Sequence, residues 1–211
     1  MPALKLYYFD MAGPADPIRL IFAISGIKFD DERIQMKDWP TMKESGKFPL
    51  NQVPVLEFED GTMVTQNHAI MRYVASLNPS TGLYPLDLRQ RLLVDEIMDI
   101  VKDIQWSIVS VVKTPEGEAK VAAQNNLYEK VLPFFFSKIE DRMGKHEYTT
   151  GDSLTIGDLA LYGIYGMLHC PFISGLPENL FTPYKKITHL FNLIDANPAV
   201  KLWREKHEVS Q

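Results

Sequence analysis

The pattern of apolar residues changes near residue 80, and this change limits the possible folds more than any other feature of the sequence. Before it, short β-prone runs alternate with segments of helical periodicity, whereas after it every periodic segment has helical spacing. The stretch between the two patterns is rich in Pro, Gly and Ser, which is typical of a linker. We therefore predict two units, over residues 1–79 and 87–211, joined by a linker over 80–86.

The first unit is predicted to be an α/β domain. Its elements follow in the order strand, helix, strand, hairpin and helix, over residues 5–9, 15–25, 29–34, 53–58 with 62–64, and 67–77. A strand-helix-strand unit implies a right-handed crossover and a parallel strand pair, to which the hairpin adds an antiparallel edge. The Val53–Pro54 bond is a candidate cis peptide because cis costs only about 0.5–1 kcal/mol before proline, although a trans proline at a strand start is more common.

The second unit is predicted to be all-helical. Its helices are expected over residues 88–112, 118–143, 154–168, 184–195 and 199–207. Pro133 is expected to kink or split the second of these helices. Thr155 and Asp158 have the spacing of a capping box, in which the threonine caps the first amides and the aspartate reaches back to the cap residue. The predicted fold class is therefore α/β plus all-α.

Composition argues against several classes of function. The net charge of −5, from 22 Lys and Arg against 27 Asp and Glu, disfavours nucleic acid as a ligand. No apolar run has the length of a bilayer span, so no membrane partner is predicted. The first residues lack the features of a secretory signal, and the single cysteine, Cys170, forbids an intrachain disulfide. We therefore expect a cytoplasmic protein with a buried and inert thiol.

Motifs for cofactors and metals are absent from the sequence. It contains no glycine-rich phosphate loop and no G-x-S-x-G motif, and its five histidines lack the spacing of metal ligands. If the chain is an enzyme, we expect it to work without a tightly bound cofactor and without a metal ion.

Three positions of the first unit could bind a ligand. Tyr8 ends the first strand, where ligands gather in α/β domains, and its phenol could donate to an anion, although it could also be one more buried aromatic. The backbone of Val53 could pair with an extended, peptide-like ligand. The helix beginning near Asn67 has free amides that could bind a carboxylate, although this residue or Thr65 could instead be a plain N-cap.

Together these positions resemble those of the cytosolic glutathione transferases. The motifs that carry the resemblance are Tyr8-Phe9, Asp38-Trp39, Gln52-Val53-Pro54-Val55-Leu56, and Gln66 followed by Ala69-Ile70-x-Arg72-Tyr73. In the second unit, Gly151–Asp158 resembles the capping motif of the same family, so the similarity extends over essentially the whole chain. The tyrosine within Leu6–Met11, together with Asp38-Trp39-Pro40, is most similar to the sigma class, which includes glutathione-dependent prostaglandin D synthases.

The resemblance implies a thioredoxin-like N-terminal domain that binds glutathione as a co-substrate. By the family pattern, the contacts fall on Gln52, Val53 and Pro54 for the cysteinyl part, Trp39 and Lys43 for the glycyl end, and Gln66 and Asn67 for the γ-glutamyl carboxylate. The Tyr8 hydroxyl would donate to the sulfur as a neutral donor and stabilise the thiolate. Asp103 would reach across the interface of a homodimer to the γ-glutamyl amine, which requires a symmetric pair of subunits.

The resemblance also implies that the helical domain forms most of a pocket for an apolar electrophile. We expect this pocket between the loop after the first strand and the long helix, with Phe9, Gly13 and Trp106 as lining residues, although Trp106 could instead be a core residue.

The chain departs from the family pattern in three places. Asn67 stands where the family carries Ser, and we expect its side chain still to donate to the carboxylate. Pro14 stands where sigma-class prostaglandin synthases generally carry Arg, which weakens the case for prostaglandin isomerisation. Lys102 lies between Asp99 and Asp103, in the cluster that binds activating magnesium in some relatives, so we expect it to repel a divalent ion.

Three functions remain open on the sequence. The first is a glutathione transferase that conjugates the glutathione thiolate to small apolar electrophiles. The second is a glutathione-dependent prostaglandin or lipid isomerase, which would share the glutathione site and differ in the second pocket. The third is a non-catalytic carrier of hydrophobic ligands, or a structural protein, with the same fold. The intact set of Tyr8, Gln52, Val53-Pro54 and Gln66 favours a working glutathione site.

Overall fold

The computed structural model describes residues 3–207, so residues 1–2 and 208–211 of the two predicted units lie outside the described range. Its strands are Lys5–Phe9 (β1), Asp30–Ile34 (β2), Val55–Glu57 (β3) and Met63–Val64 (β4). They form a sheet with the order β2-β1-β3-β4. β1 pairs in parallel with β2 and antiparallel with β3, and β3 pairs antiparallel with β4. The predicted parallel pair and the predicted hairpin are therefore confirmed.

Helices connect and follow these strands within residues 3–207. They are Asp16–Ser25 (α1), Trp39–Glu44 (α2), Asn67–Leu77 (α3), Leu88–Lys113 (α4), Glu118–Asn126 (α5), Leu132–Met143 (α6), Ile156–Leu168 (α7), Lys185–Ala196 (α8) and Pro198–Lys206 (α9). Beyond α3 the described chain contains helices and loops but no named strand, which confirms the α/β plus all-α class. Each described helix is too short or too polar to span a lipid bilayer.

The alternation of side chains along β1 divides the first domain into two packed faces. Leu4, Leu6 and Tyr8 lie in the large core, which also holds the buried faces of α1, α3 and α4. Tyr7 points to the opposite face of the sheet and packs with Phe48 in a smaller cluster near α2. Because successive residues of a strand face opposite sides, Tyr8 alone of the two tyrosines faces the second domain.

Two helical segments differ from the prediction. Residues Trp39–Glu44 form α2, although the sequence around Pro40 and Gly46 predicts an irregular stretch. This helix is only six residues long and has no fully buried residue, so its sequence carries little periodic signal. The predicted helix over 118–143 is split, as expected, but the interruption between α5 and α6 is a π-helical turn at Leu127–Val131. Pro133 lies in the first turn of α6, where a proline is tolerated.

The helix α7 joins the two domains. Its start has the predicted capping box, in which Asp158 accepts hydrogen bonds from the backbone and hydroxyl of Thr155 at 2.7 and 2.8 Å. Gly163 lets α7 approach α1 closely, because a Cβ built there would lie 2.5 Å from the Pro17 ring. A bidentate ion pair between Arg204 of α9 and Asp16 of α1, at 2.7 and 2.6 Å, is a second contact between the two domains. The start of α1 is thus held against the helical domain.

Candidate active site

The strand registers bring the three predicted segments of the site to one edge of the sheet. In the antiparallel pair of β1 and β3, Tyr7 lies opposite Val55, so the next step along this register places Tyr8 opposite Pro54. In the hairpin, Leu56 lies opposite Val64, and the same continuation places Pro54 opposite Gln66. The Val53–Pro54 peptide bond is cis. The end of β1, the start of β3 and the end of β4 therefore follow one another along this edge.

Tyr8 is buried at this edge, with 6% of its surface exposed. Gly13 lies directly against its hydroxyl, because a Cβ built on Gly13 would come within 2.5 Å of the phenolic oxygen, and this residue also has a left-handed φ of +51°. Burial raises the pKa of the Tyr8 hydroxyl well above its usual value; the Arg19 charge opposes this shift and Cys170 adds to it. The side chain is thus a neutral phenol at physiological pH.

Arg19 packs against the Tyr8 ring, and its role was not predicted from the sequence. Its side chain is completely buried, with the guanidinium 5.9 Å from the centroid of the Tyr8 ring. It donates to the carbonyls of Met11 and Phe9 at 2.7 and 3.2 Å, and to the Asp31 carboxylate at 3.0 Å. Arg19 therefore ties the loop after β1 to α1 and β2. A charged residue between the apolar Ile18 and Leu20 was the signal that could have identified it.

Phe9 and Trp39 extend the aromatic surface beside Tyr8. The Phe9 ring packs edge-on against Tyr8 at 5.2 Å and against Trp39 at 5.4 Å, so these predicted site residues are brought together. Trp39 is half-buried at the start of α2, whereas Lys43, in the last turn of α2, and Gln52, which precedes β3, are exposed. The three aromatic residues are thus in direct contact with one another through Phe9, whereas the side chains of Lys43 and Gln52 lie on the surface.

The opposite end of the edge is polar and lies against α4. Gln66 is exposed with a φ of +74°, and Asn67 begins α3 as a buried residue. Lys102 of α4 donates to Oε1 of Gln66 at 3.5 Å and to Oδ1 of Asn67 at 3.3 Å. The Nδ2 of Asn67 donates to Oε1 of Gln105, also in α4, at 3.4 Å. These contacts could not be predicted from the sequence, in which the only charged residues near Lys102 are Asp99 and Asp103.

The charges of α3 and α4 shape this end further. His68, in the first turn of α3, is buried and its Nε2 has no hydrogen-bond partner within residues 3–207. Burial, together with the charges of Lys102 and Arg72, lowers the pKa of the His68 imidazole to about 3. Arg72 pairs with Asp95 at 2.6 Å and lies 3.7 Å from Asp99. The first turn of α3 is thus a region of positive potential, and the His68 imidazole stays neutral there.

The remaining predictions concern Trp106, Asp103 and Cys170. Trp106 is 58% exposed, so the alternative role as a core residue is wrong; its ring lies 5.8 Å from Nζ of Lys102. Asp103 is exposed on the same helix and has no ion pair within residues 3–207. Cys170 is only half-buried, against the prediction of a buried thiol, because it follows the end of α7 rather than lying inside it. In the described part of the chain, no three His, Cys, Asp or Glu side chains form a group that could hold a metal ion.

Comparison with known families identifies the chain. A family model for the glutathione S-transferase N-terminal domain matches residues 15–77, and one for the glutathione S-transferase C-terminal domain matches residues 102–207. This chain belongs to the glutathione S-transferase family. The first match includes the Val53 and Gln66 segments of the sheet edge but not β1 with Tyr8, and the second begins within α4 and includes α5–α9.

The similarity extends over the whole length of the transferase. This chain is 29% identical over 206 residues to hematopoietic prostaglandin D synthase of Gallus gallus, and the match covers 98% of this chain and 97% of that protein. It is 28% identical over 207 residues to glutathione S-transferase S1 of Drosophila melanogaster, covering 98% of this chain and 79% of that protein. The structure of prostaglandin synthase D of Nilaparvata lugens matches with a TM-score of 0.86 and 30% identity, covering 99% of this chain and 100% of that one. The predicted family and its similarity to the sigma class are confirmed.

Proposed function

We propose that this transferase conjugates the glutathione thiolate to small apolar electrophiles and that the Tyr8 hydroxyl stabilises the thiolate. One observation supports the proposal: a buried, neutral phenol lies at the sheet edge, one step along the register from the Tyr7–Val55 pair and close to the Val53 backbone that we propose pairs with the cysteinyl residue. The thiol proton leaves to solvent, the sulfur attacks the electrophilic carbon, and the leaving group departs with the bonding electrons. Tyr8 keeps its proton throughout.

The energies of these interactions are sufficient. A thiol with a pKa of about 8–9 is mostly protonated at neutral pH, and only the thiolate is a good nucleophile. Lowering that pKa by about two units requires roughly 3 kcal/mol of differential stabilisation. A hydrogen bond to a charged group contributes about 1.5–3 kcal/mol, and the nearby start of α1 adds about 0.3–1 kcal/mol. The phenol and the helix together can therefore supply the required amount.

The rest of the glutathione site is proposed on the same edge. The glutathione contacts beyond Tyr8 would be made by Trp39 and Lys43 at the glycyl end, Gln52, Val53 and Pro54 at the cysteinyl part, and Gln66 and Asn67 at the γ-glutamyl end. The register places these last segments in line with Tyr8, which supports a tripeptide lying along the edge. Phe9 and Gly13 line the adjoining electrophile pocket in this proposal, and Trp106, exposed on α4, forms its outer wall.

We also propose a homodimer in which Asp103 reaches the γ-glutamyl amine of the partner subunit. Leu86, Leu88 and Leu92 are largely exposed at the start of α4, and such an apolar row favours burial against a second subunit. Sedimentation velocity should give twice the monomer mass, and changing both Leu88 and Leu92 to Glu should reduce it to the monomer. We expect cytoplasmic detoxification as the physiological setting, with residues 1–79 supplying the glutathione site and 87–211 most of the second pocket.

Two assays test the proposed activity. The transferase should be retained on immobilised glutathione and should conjugate glutathione to 1-chloro-2,4-dinitrobenzene. Retention without turnover would instead support a non-catalytic carrier with this fold. Failure of both assays, for a protein with a cooperative unfolding transition, would mean that glutathione is not a substrate of this protein.

A glutathione-dependent prostaglandin isomerase is the second candidate. The similarity to prostaglandin D synthase over nearly the full length favours it. Pro14 argues against it, because this half-buried position beside Gly13 carries no cation near the proposed thiolate. Thiol titration during turnover separates the two reactions, since conjugation consumes one thiol for each product whereas isomerisation leaves the glutathione concentration unchanged.

A further inference from the structure

The side chain of Asn67 is buried against α4 and hydrogen-bonded to it. Its Oδ1 accepts from Lys102 at 3.3 Å and its Nδ2 donates to Gln105 at 3.4 Å, and the residue is 4% exposed. A buried amide in two such contacts is held in place by the neighbouring helix. One N–H of Nδ2 is not used by these bonds, but at 4% exposure it has little access to a ligand, so a ligand at this end requires a more accessible donor.

Lys102 has a donor to spare at the same place. An ammonium carries three N–H groups, and the neutral oxygens of Gln66 and Asn67 occupy two of them. Within residues 3–207 Lys102 has no carboxylate partner, since the adjacent Asp99 lies against Arg72 instead. Its side chain is half-buried, and partial burial lowers its pKa. A partly desolvated cation with only neutral partners favours an anion beside it.

The start of α3 provides the matching backbone. The helix has no side-chain cap and no acidic residue in its first turn, so its first amides have no hydrogen-bond partner among the described residues. Gln66, immediately before it, holds a φ of +74°, a conformation that only a few per cent of non-glycine residues adopt. His68 is buried in the same turn, its Nε2 has no partner within residues 3–207, and it stays neutral, so it adds no charge to this turn.

We infer that Lys102 binds the α-carboxylate of the γ-glutamyl residue of glutathione, together with the first amides of α3, and that Asn67 serves as the bridge that holds α3 to α4. The inference rests on the proposed function and names its charge-recognising residue. Lys102 is then the residue by which the site distinguishes glutathione from thiols that lack this carboxylate.

Two ligands and three variants test the inference. The ligands are glutathione and its analogue with hydrogen in place of the γ-glutamyl α-carboxylate, titrated calorimetrically against the full chain. Lys102→Met should weaken glutathione binding by about tenfold or more, the worth of one lost hydrogen bond between charged groups, and should leave the affinity for the analogue unchanged. Lys102→Arg should retain most of the affinity. Lys113→Met, in the last turn of the same helix, is the matched control and should change neither affinity.

Kinetics and salt supply a readout that a structural role would not change. Lys102→Met should raise KM for glutathione while kcat stays within about twofold of the wild type, because the carboxylate contact is the same in ground and transition states. Added salt should weaken glutathione binding by the wild type more than by Lys102→Met. Equal loss of both ligands in Lys102→Met, or loss of neither, would overturn the inference while leaving the proposed transferase activity intact. Absence of glutathione binding by the wild type would overturn the proposed function itself.

Discussion

The two ends of the candidate glutathione site are built from different kinds of contact. At one end, Tyr8 is buried against Gly13 and Arg19, and its environment is set by the loop after β1. At the other end, Gln66 is exposed and Lys102 reaches it from α4, a helix that begins after the linker. The first end therefore acts through desolvation and a fixed hydroxyl, and the second through charge in partial contact with water.

This difference separates rate from affinity. A buried neutral donor stabilises a sulfur charge that is largest when the thiolate forms, so changes near Tyr8 should alter kcat. Contacts at the Lys102 end are the same before and during reaction, so changes there should alter KM. Four experiments test this difference between the two ends of the site.

Arg19→Met should destabilise the fold by about 3–5 kcal/mol, because removing one partner of a buried ion pair leaves Asp31 and two carbonyls poorly satisfied. Urea unfolding followed by circular dichroism measures this loss. Arg33→Met is the matched control, since Arg33 shares Asp31 but is partly exposed, and it should cost only about 1 kcal/mol. Equal costs for the two variants would mean that Arg19 is not the support of the Tyr8 end.

Tyr8→Phe should lower kcat for 1-chloro-2,4-dinitrobenzene by about 10-fold to 100-fold and leave glutathione affinity nearly unchanged, because one hydrogen bond to a charged sulfur is lost. Steady-state kinetics at saturating glutathione measures the change. Tyr7→Phe is the control, since the Tyr7 hydroxyl donates to Glu57 on the other face of the sheet, and it should keep its activity. Unchanged turnover in Tyr8→Phe would remove the phenol from the mechanism.

Gly13→Ala should cost about 1–2 kcal/mol of stability from its left-handed backbone and should also lower kcat, because the new Cβ displaces the Tyr8 hydroxyl. Gly26→Ala has a similar φ of +65° but open space around its Cβ, so it should lose comparable stability and no activity. Thermal unfolding and the conjugation assay, run on both variants, compare them. A parallel fall in kcat for both would show that strain alone affects the site.

The charged end should make stability depend on pH. The unfolded chain protonates His68 near pH 6.5, whereas the folded chain does so only near pH 3, so the free energy of unfolding should fall by about 1 kcal/mol between about pH 6.5 and 5.5. His68→Leu should flatten this part of the curve in urea titrations. His189→Gln, an exposed position, should keep the wild-type slope. An unchanged pH dependence of the unfolding free energy in His68→Leu would mean that another group causes it.

The local elements were predictable because they depend on short-range periodicity. The helix over 67–77 agrees with α3 at both ends, and β1 agrees with the predicted strand over 5–9. The capping box of Thr155 and Asp158 needs only a spacing of three residues, so it too could be predicted. The short α2 could not, because six residues of which none is fully buried carry no clear period. Cys170 was misjudged because the segment after α7 is only partly covered, and Pro171 and Phe172 beside it are exposed.

By itself, the sequence determined the strands and most of the helices, the separation of Tyr7 and Tyr8 onto opposite faces of β1, and the family that the motifs resemble. Only the tertiary structure decided that Lys102 and Gln105 contact Gln66 and Asn67, that Arg19 lies under Tyr8, and that Trp106 is exposed. Periodicity along a helix specifies which residues share a face. The partner of that face depends on how elements more than thirty residues apart pack together, and that is set by the shape of the whole core.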